Sequence, residues 1–233
     1  MKKHFSILVC LLVALSLFIV SCGDGKKNEA LLQNNGHLQI NGHEYVDLGL
    51  PSGTKWATCN VGANNPWEYG DFYAWGETEE KQDYSWETYK WCNGTHDTMT
   101  KYCTDVVYGK VDNKTVLDPG DDVARVKWGG TWRMPTAEEM CELYKEGTWE
   151  WTVLNGVNGY KVTGPNGNCI FLPAAGSRVE SSDVYGRDRL GRYWSSSLCR
   201  EKNAFDWEFD SDSPNDCDFE PRYKGQSVRP VCE

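Results

Sequence analysis

A chain of 233 residues is long enough for one domain with a sizeable core. Its formal charge of −10, with no run of basic residues, removes the electrostatic footprint that nucleic-acid binding needs. Eleven Trp and twelve Tyr supply aromatic surface for both core and ligand contact.

The first 21 residues read as an address. Lys2 and Lys3 precede an apolar stretch from Phe5 to Val20, shorter than the roughly 20 apolar residues of a spanning helix, so a signal peptide over 1–21 is expected. Ile19-Val20-Ser21-Cys22-Gly23 resembles a bacterial lipobox, in which the Cys22 thiol is lipidated and becomes the new first residue. Lipid then holds the chain at a membrane without a spanning helix, with the outer membrane as the expected location, on its cell-surface or its periplasmic face. Residues 22–42 are polar and aperiodic at the start and read as a flexible tether, and the domain is expected over 43–233.

Within the domain, Glu44 to Leu50 alternates like a strand, Pro51-Ser52-Gly53 turns, and Thr54 to Val61 alternates again. Pro66 to Gly70 predicts one helical turn, and Asp71 to Gly76 a short apolar run. Residues 77–115 are polar, turn-rich and studded with aromatics, as in a long loop region. Asp118-Pro119-Gly120-Asp121-Asp122 lacks the alternating oxygen spacing of a calcium loop and predicts a turn into a short helix capped by Asp118. Thr136 with Glu139 three residues on is a capping box, and Met140, Leu143 and Tyr144 recur at helical intervals before Gly147. Strands follow at 148–154, 160–163 and 169–172, separated by Asn-Gly and Gly-Pro-Asn-Gly turns, and then at 193–196, 204–209 and 227–231. Ser195-Ser196-Ser197 lacks a glycine elbow and reads as strand. Many short strands with one or two helices give an α+β class.

Beyond Cys10 and Cys22 there are eight cysteines: Cys59, Cys92, Cys103, Cys141, Cys169, Cys199, Cys217 and Cys232. In an exported chain they predict up to four disulfides, with the local pairs Cys92–Cys103 and Cys199–Cys217 preferred because each ties off a polar loop. No Cys-x-x-Cys exists and the four histidines are scattered, so neither a metal site nor a cofactor is expected.

Three strings carry a family resemblance: Val46 to Gly62 with Tyr69 to Glu77, Trp128 to Thr136, and Gly191 to Ser197 with Gln226 to Val231. Together, over residues 43–232, they resemble the "major paralogous domain" family of fibrobacters and Bacteroidetes, related to the formylglycine-generating-enzyme branch of the C-type-lectin-like fold. The resemblance implies a compact α+β domain with a small twisted sheet and loops presented on one face. It also raises an enzyme hypothesis, since Arg133-Met134-Pro135-Thr136 and Val228-Arg229-Pro230 match that branch. The chemistry there needs a close cysteine pair near the C-terminus, and Cys199, Cys217 and Cys232 are spaced too widely, so no catalytic residues are expected.

In lectin-like folds the interval before the final strand supplies the binding face, and the tail of this chain is similar to variable proteins diversified by retroelements. The expected ligand-binding set is therefore Leu198, Arg200, Glu201, Asn203, Asp206, Trp207, Glu208, Asp210, Asp212, Asn215, Asp216 and Tyr223. Alternation places Phe205, Trp207 and Phe209 on one face of a strand and Asp206, Glu208 and Asp210 on the other, with the acids expected in solvent. The expected function is a lipid-anchored binding module or adhesin for a glycan or protein; the alternatives are a structural subunit of a surface assembly and a divergent enzyme.

Overall fold

The computed structural model describes residues 38–181 and 183–233, with the side chains of residues 215–217 left aside. Among these residues the chain is mostly sheet. Strands β1 (Leu38–Ile40), β2 (His43–Asp47), β3 (Lys55–Ala57) and β10 (Val231–Cys232) make one antiparallel sheet in that order. Strands β4 (Thr148–Leu154), β5 (Val157–Thr163) and β6 (Cys169–Pro173) make a second, and β7 (Gly191–Arg200), β8 (Asn203–Phe209) and β9 (Pro214–Pro221) a third. Two short helices, α1 (Val123–Trp128) and α2 (Ala137–Glu146), complete the regular structure. No described helix is long and apolar enough to cross a membrane.

Local chemistry explains the elements that form as expected. Thr136 Oγ1 accepts from the Glu139 amide while the Glu139 carboxylate accepts from the Thr136 amide, which closes the capping box of α2. Arg133 clamps the same Glu139 through both of its terminal nitrogens, at 2.6 Å each, and holds its carboxyl below the usual range against the opposing effect of burial. The β4–β5 hairpin turns at Asn155 and Gly156, both at positive φ (49° and 83°), as a two-residue turn that follows the strand twist requires.

Other expectations shift. The tether boundary moves, because Leu38–Ile40 pairs with β2, Trp132 Nε1 donates to the Ile40 carbonyl (2.8 Å) and Asn41 Nδ2 to the Trp128 carbonyl (2.9 Å). Residues 66–70 form no helical turn: only Pro66 and Trp67 lie in a turn, and Glu68 draws the amides of Asn64 and Asn65 to its carboxylate. The strand expected over 227–231 is confined to Val231–Cys232, and Arg229 lies between elements, bonding the carbonyls of Ala57, Thr58 and Phe171. Asp122, not Asp118, caps α1: its carboxylate accepts from the Arg125 and Met134 amides. Asp118 and Asp121 share Lys101 at 2.5 Å, so a lysine neutralises the two acids of that turn.

The third sheet is packed on both faces. Tyr193, Trp207 and Phe209 join Trp56, Leu143, Tyr160 and Val162 in one core, whereas Trp194, Leu198 and Ala204 join Trp75, Tyr102 and Trp132 in another. The three serines of β7 point into these contacts: Ser195 donates to the Phe205 carbonyl, Ser196 to that of Pro135, and Ser197 Oγ accepts from the Ala137 amide at the start of α2.

The disulfide framework is corrected. Cys59, Cys92, Cys103, Cys199 and Cys232 are free thiols, so neither Cys92–Cys103 nor Cys199–Cys217 forms. The Cys92 thiol donates to the Trp86 carbonyl (3.2 Å) and that of Cys103 to the Asp105 carbonyl (3.1 Å), each engaged with its own neighbour. Burial raises the pKa of both, and of the Cys169 thiol. Cys141 is disulfide-bonded, with its partner outside the described side chains. Alkylation of the native, unreduced protein is expected to spare Cys92, Cys103 and Cys232, and denaturation alone should expose all three. Protection that persists in denaturant until a reductant is added would show that these thiols are bridged.

Candidate functional site

A cleft of about 440 Å³ opens where three segments distant in sequence meet. The β4–β5 hairpin contributes Trp151 and Asn158, the loop before β7 contributes Tyr185, Asp188, Arg189 and Leu190, and the β8–β9 connection contributes Asp210 and Ser211. That volume lies in the range of small-ligand sites.

The floor is aromatic. Trp151 packs edge-on against Tyr160 (5.2 Å between centroids) and Phe209 (6.4 Å), and Phe209 stacks on Tyr193 at 5.8 Å. Period-two alternation in β4 turns Trp149 and Trp151 to this core side, and both remain half-buried because β4 is the outer strand of its sheet. Tyr185, across the cleft, is 62% exposed.

The polar rim is held in place. Asp188 sits at φ 61°, a left-handed conformation that Asp adopts more readily than most residues, and bonds from distant segments hold it there. Tyr69 Oη donates to Asp188 Oδ1 at 2.6 Å, the Asn158 amide donates to the same oxygen at 3.3 Å, and Asn158 Nδ2 donates to the Asp188 carbonyl at 3.0 Å. The Asp188 amide donates in turn to Ala174. Burial, then the Asp188 bond and charge, push the Tyr69 phenol well above its ordinary value, so it remains a donor. On the far wall, Asp210 Oδ1 accepts from the amides of Asp212 (2.9 Å) and Ser213 (3.1 Å), which fixes the turn. Ser211 Oγ donates to Asp212. Both carboxylates thus commit one oxygen to the protein and leave the other without a bond among the described residues.

No protein-family model, curated protein or solved structure matches this chain.

Of the residues expected to bind ligand, Asp210 alone lines the cleft, with Asp212 one turn residue away. Leu198, Asp206 and Trp207 are buried, the last two at 1% exposure. The acids of β8 were expected in solvent, but the sheet has a core on both faces and Asp206 is enclosed by it. Glu208 is bound to Arg192. Arg200, Glu201 and Asn203 lie at the opposite end of the β7–β8 hairpin, roughly 23 Å from Asp210 at the rise of a strand. There Arg200 covers the Phe219 ring, Glu201 accepts from Thr104, and Tyr223 packs on Trp86. Asn215 and Asp216 fall outside the described side chains, and Cys22 outside the described residues. The expected set is therefore divided between a core, two ends of a hairpin and an ion pair.

Sequence reasoning missed Trp151, Asn158, Tyr185, Asp188, Arg189, Leu190 and Ser211. Trp151 carried a signal in the alternation of Thr148 to Leu154, since two Trp on one face of an edge strand exceed what a small core absorbs. The 185–190 loop carried only its composition, an aromatic followed by three charged residues.

Proposed function

We propose that the protein is a lipid-anchored cell-envelope binding module whose recognition site is the cleft between Trp151, Tyr185 and Asp210, and that its ligand is a saccharide. The carrying observation is the pairing in one cleft of the exposed Tyr185 ring and the half-buried Trp151 ring with carboxylate oxygens that accept no bond among the described residues. A pyranose has an apolar C–H face and an equatorial ring of hydroxyls. Aromatic walls match the first and carboxylate or amide acceptors the second, with geometry fixed beforehand so that little entropy is lost on binding.

Lipidation at Cys22 tethers the domain to the envelope, and residues after it lead to β1 at Leu38. Three small antiparallel sheets with two helices are compatible with the C-type-lectin-like arrangement that the sequence strings suggest. No enzymatic step is assigned.

A panel of neutral and acidic oligosaccharides, read by tryptophan fluorescence on the full chain, tests this reading. Trp151→Ala should weaken the best ligand by about tenfold or more, the factor that corresponds to 1.4 kcal/mol of lost contact. Arg200→Ala and Tyr223→Ala, at the far end of the hairpin, should leave affinity unchanged. Equal loss in those two variants, or retention in Trp151→Ala, would remove the cleft from consideration.

A further inference from the structure

Resting on the saccharide reading, we infer that the cleft selects a sugar bearing a carboxylate, and that Arg189 is the specificity-determining residue that receives it. Among the described residues, Arg189 is the only cationic side chain lining the cleft. Cations elsewhere in the fold are mostly satisfied: Lys101 by Asp118 and Asp121, Arg133 by Glu139, Arg192 by Glu208 and Glu220, Lys224 by Glu220. Arg189 has no hydrogen bond or ion pair through its guanidinium among the described residues, although Asp188 and Asp210 line the same cleft.

The reason is geometric. Asp188 is turned towards the Tyr69 hydroxyl and the Asn158 amide, and Asp210 towards the amides of its own turn, so both acids are oriented by those donors and not by Arg189. The loop carrying Arg189 is itself fixed, since the amides of Arg189 and Leu190 both bond the Gly186 carbonyl and the Leu190 carbonyl accepts from Gly176. Arg189 thus lines the cleft from a fixed backbone while its side chain stays exposed, and its planar five-donor fork is of the kind that takes a carboxylate in bidentate fashion.

The division of labour then follows from charge. The free oxygens of Asp188 and Asp210 accept hydroxyl donors and repel an anion, so a ligand carboxylate has one place to go, the guanidinium. A hydroxylated acid satisfies both demands at once. A neutral sugar leaves Arg189 solvated and gains nothing from it. The chain as a whole is acidic, so this one pairing also sets a direction in which an anionic ligand must arrive.

The test is a comparison of matched pairs on the full chain at 50 mM and 300 mM salt. Trigalacturonate is set against its methyl ester, which keeps the rings and removes the charge, and sialyllactose against lactose. Each is titrated into wild type, Arg189→Gln and Trp151→Ala. The expected result is at least tenfold tighter binding of one charged sugar than of its neutral partner, a preference that shrinks at the higher salt and is abolished in Arg189→Gln. Whether trigalacturonate or sialyllactose prevails tells a ring carboxylate from one at the anomeric carbon. Neutral partners that bind as well as the acids, with Arg189→Gln unchanged and Trp151→Ala impaired, would overturn the inference and leave the saccharide reading standing. Absence of binding by every sugar to the folded protein would overturn both.

Discussion

Asp206→Asn is expected to melt at a higher temperature than wild type at pH 8 and at nearly the same temperature at pH 4. Asp206 is 1% exposed, and burial raises its pKa to about 8 against the opposing pull of Gln226 and Arg192. The contacts agree. Gln226 Nε2 donates to Asp206 Oδ2 at 2.8 Å, while Asp206 Oδ1 and Gln226 Oε1 are both buried acceptors with no partner. One proton on Asp206 Oδ1 would let it donate to Gln226 Oε1 and satisfy both atoms, giving a cyclic acid–amide pair. Arg192 is 3.7 Å away but is shared with Glu208 and Glu220, so it does little to hold an ionised Asp206.

The direction with pH follows. In the unfolded chain Asp titrates near about 3.9, so between that pH and about 8 the native state holds a proton that the unfolded state has released. Stability from this group is complete below the unfolded pKa and is lost as pH rises towards the folded one. The slope is at most about 1.4 kcal/mol per pH unit. Asparagine has no proton to lose and can reproduce both hydrogen bonds, so the difference between variant and wild type should grow from pH 4 to pH 8. At a few kcal/mol, and with ~2–4 °C per kcal/mol for a domain of this size, the gain at pH 8 is roughly 5–10 °C. Circular-dichroism melts across that range read it directly. A variant less stable than wild type at pH 8 would mean that Asp206 is an ionised partner of Arg192.

Arg222→Met carries the largest expected loss. Arg222 is fully buried and its donors go to the Tyr89 hydroxyl (3.0 Å) and to the carbonyls of Tyr102, Glu201 and Lys101. The guanidinium also lies over the rings of Trp75 and Tyr89. It therefore ties the 101–102 loop to the β7–β8 turn and the end of β9, using backbone dipoles instead of a carboxylate. Methionine fills the volume but leaves three carbonyls without their donor, a loss of about 3–5 kcal/mol. Arg222→Lys should recover little, because one ammonium cannot span a planar fork. Urea unfolding measures both, and a methionine variant within about 1 kcal/mol of wild type would refute the account of this contact.

Much of the fold was legible where its causes are local. The capping box at Thr136 and Glu139, the Asn155-Gly156 turn and the alternation of Thr148 to Leu154 each need only a few neighbouring residues, and each appears where expected. Alternation in β8 was legible in part: Trp207 and Phe209 share one core and Ala204 joins the other, while Phe205 stays half-buried outside both. What alternation cannot supply is the number of cores, and a sheet covered on both sides turned the expected solvent face into a buried one. The disulfides failed for a related reason: parity of cysteines says nothing of whether Cys92 and Cys103 have carbonyls of their own to bond. The cleft was least legible, since residues 151–158, 185–190 and 210–211 meet only through sheet order and none carries a motif.

The most direct test of the central claim, that the cleft binds the saccharide, is an NMR titration of the full chain with the best oligosaccharide, following tryptophan indole and Asn and Arg side-chain signals. The account predicts shifts at Trp151, Asn158 and Arg189 with Trp86 and Arg200 unmoved. Shifts confined to Trp86 and Arg200 would place recognition at the other end of the β7–β8 hairpin and contradict it.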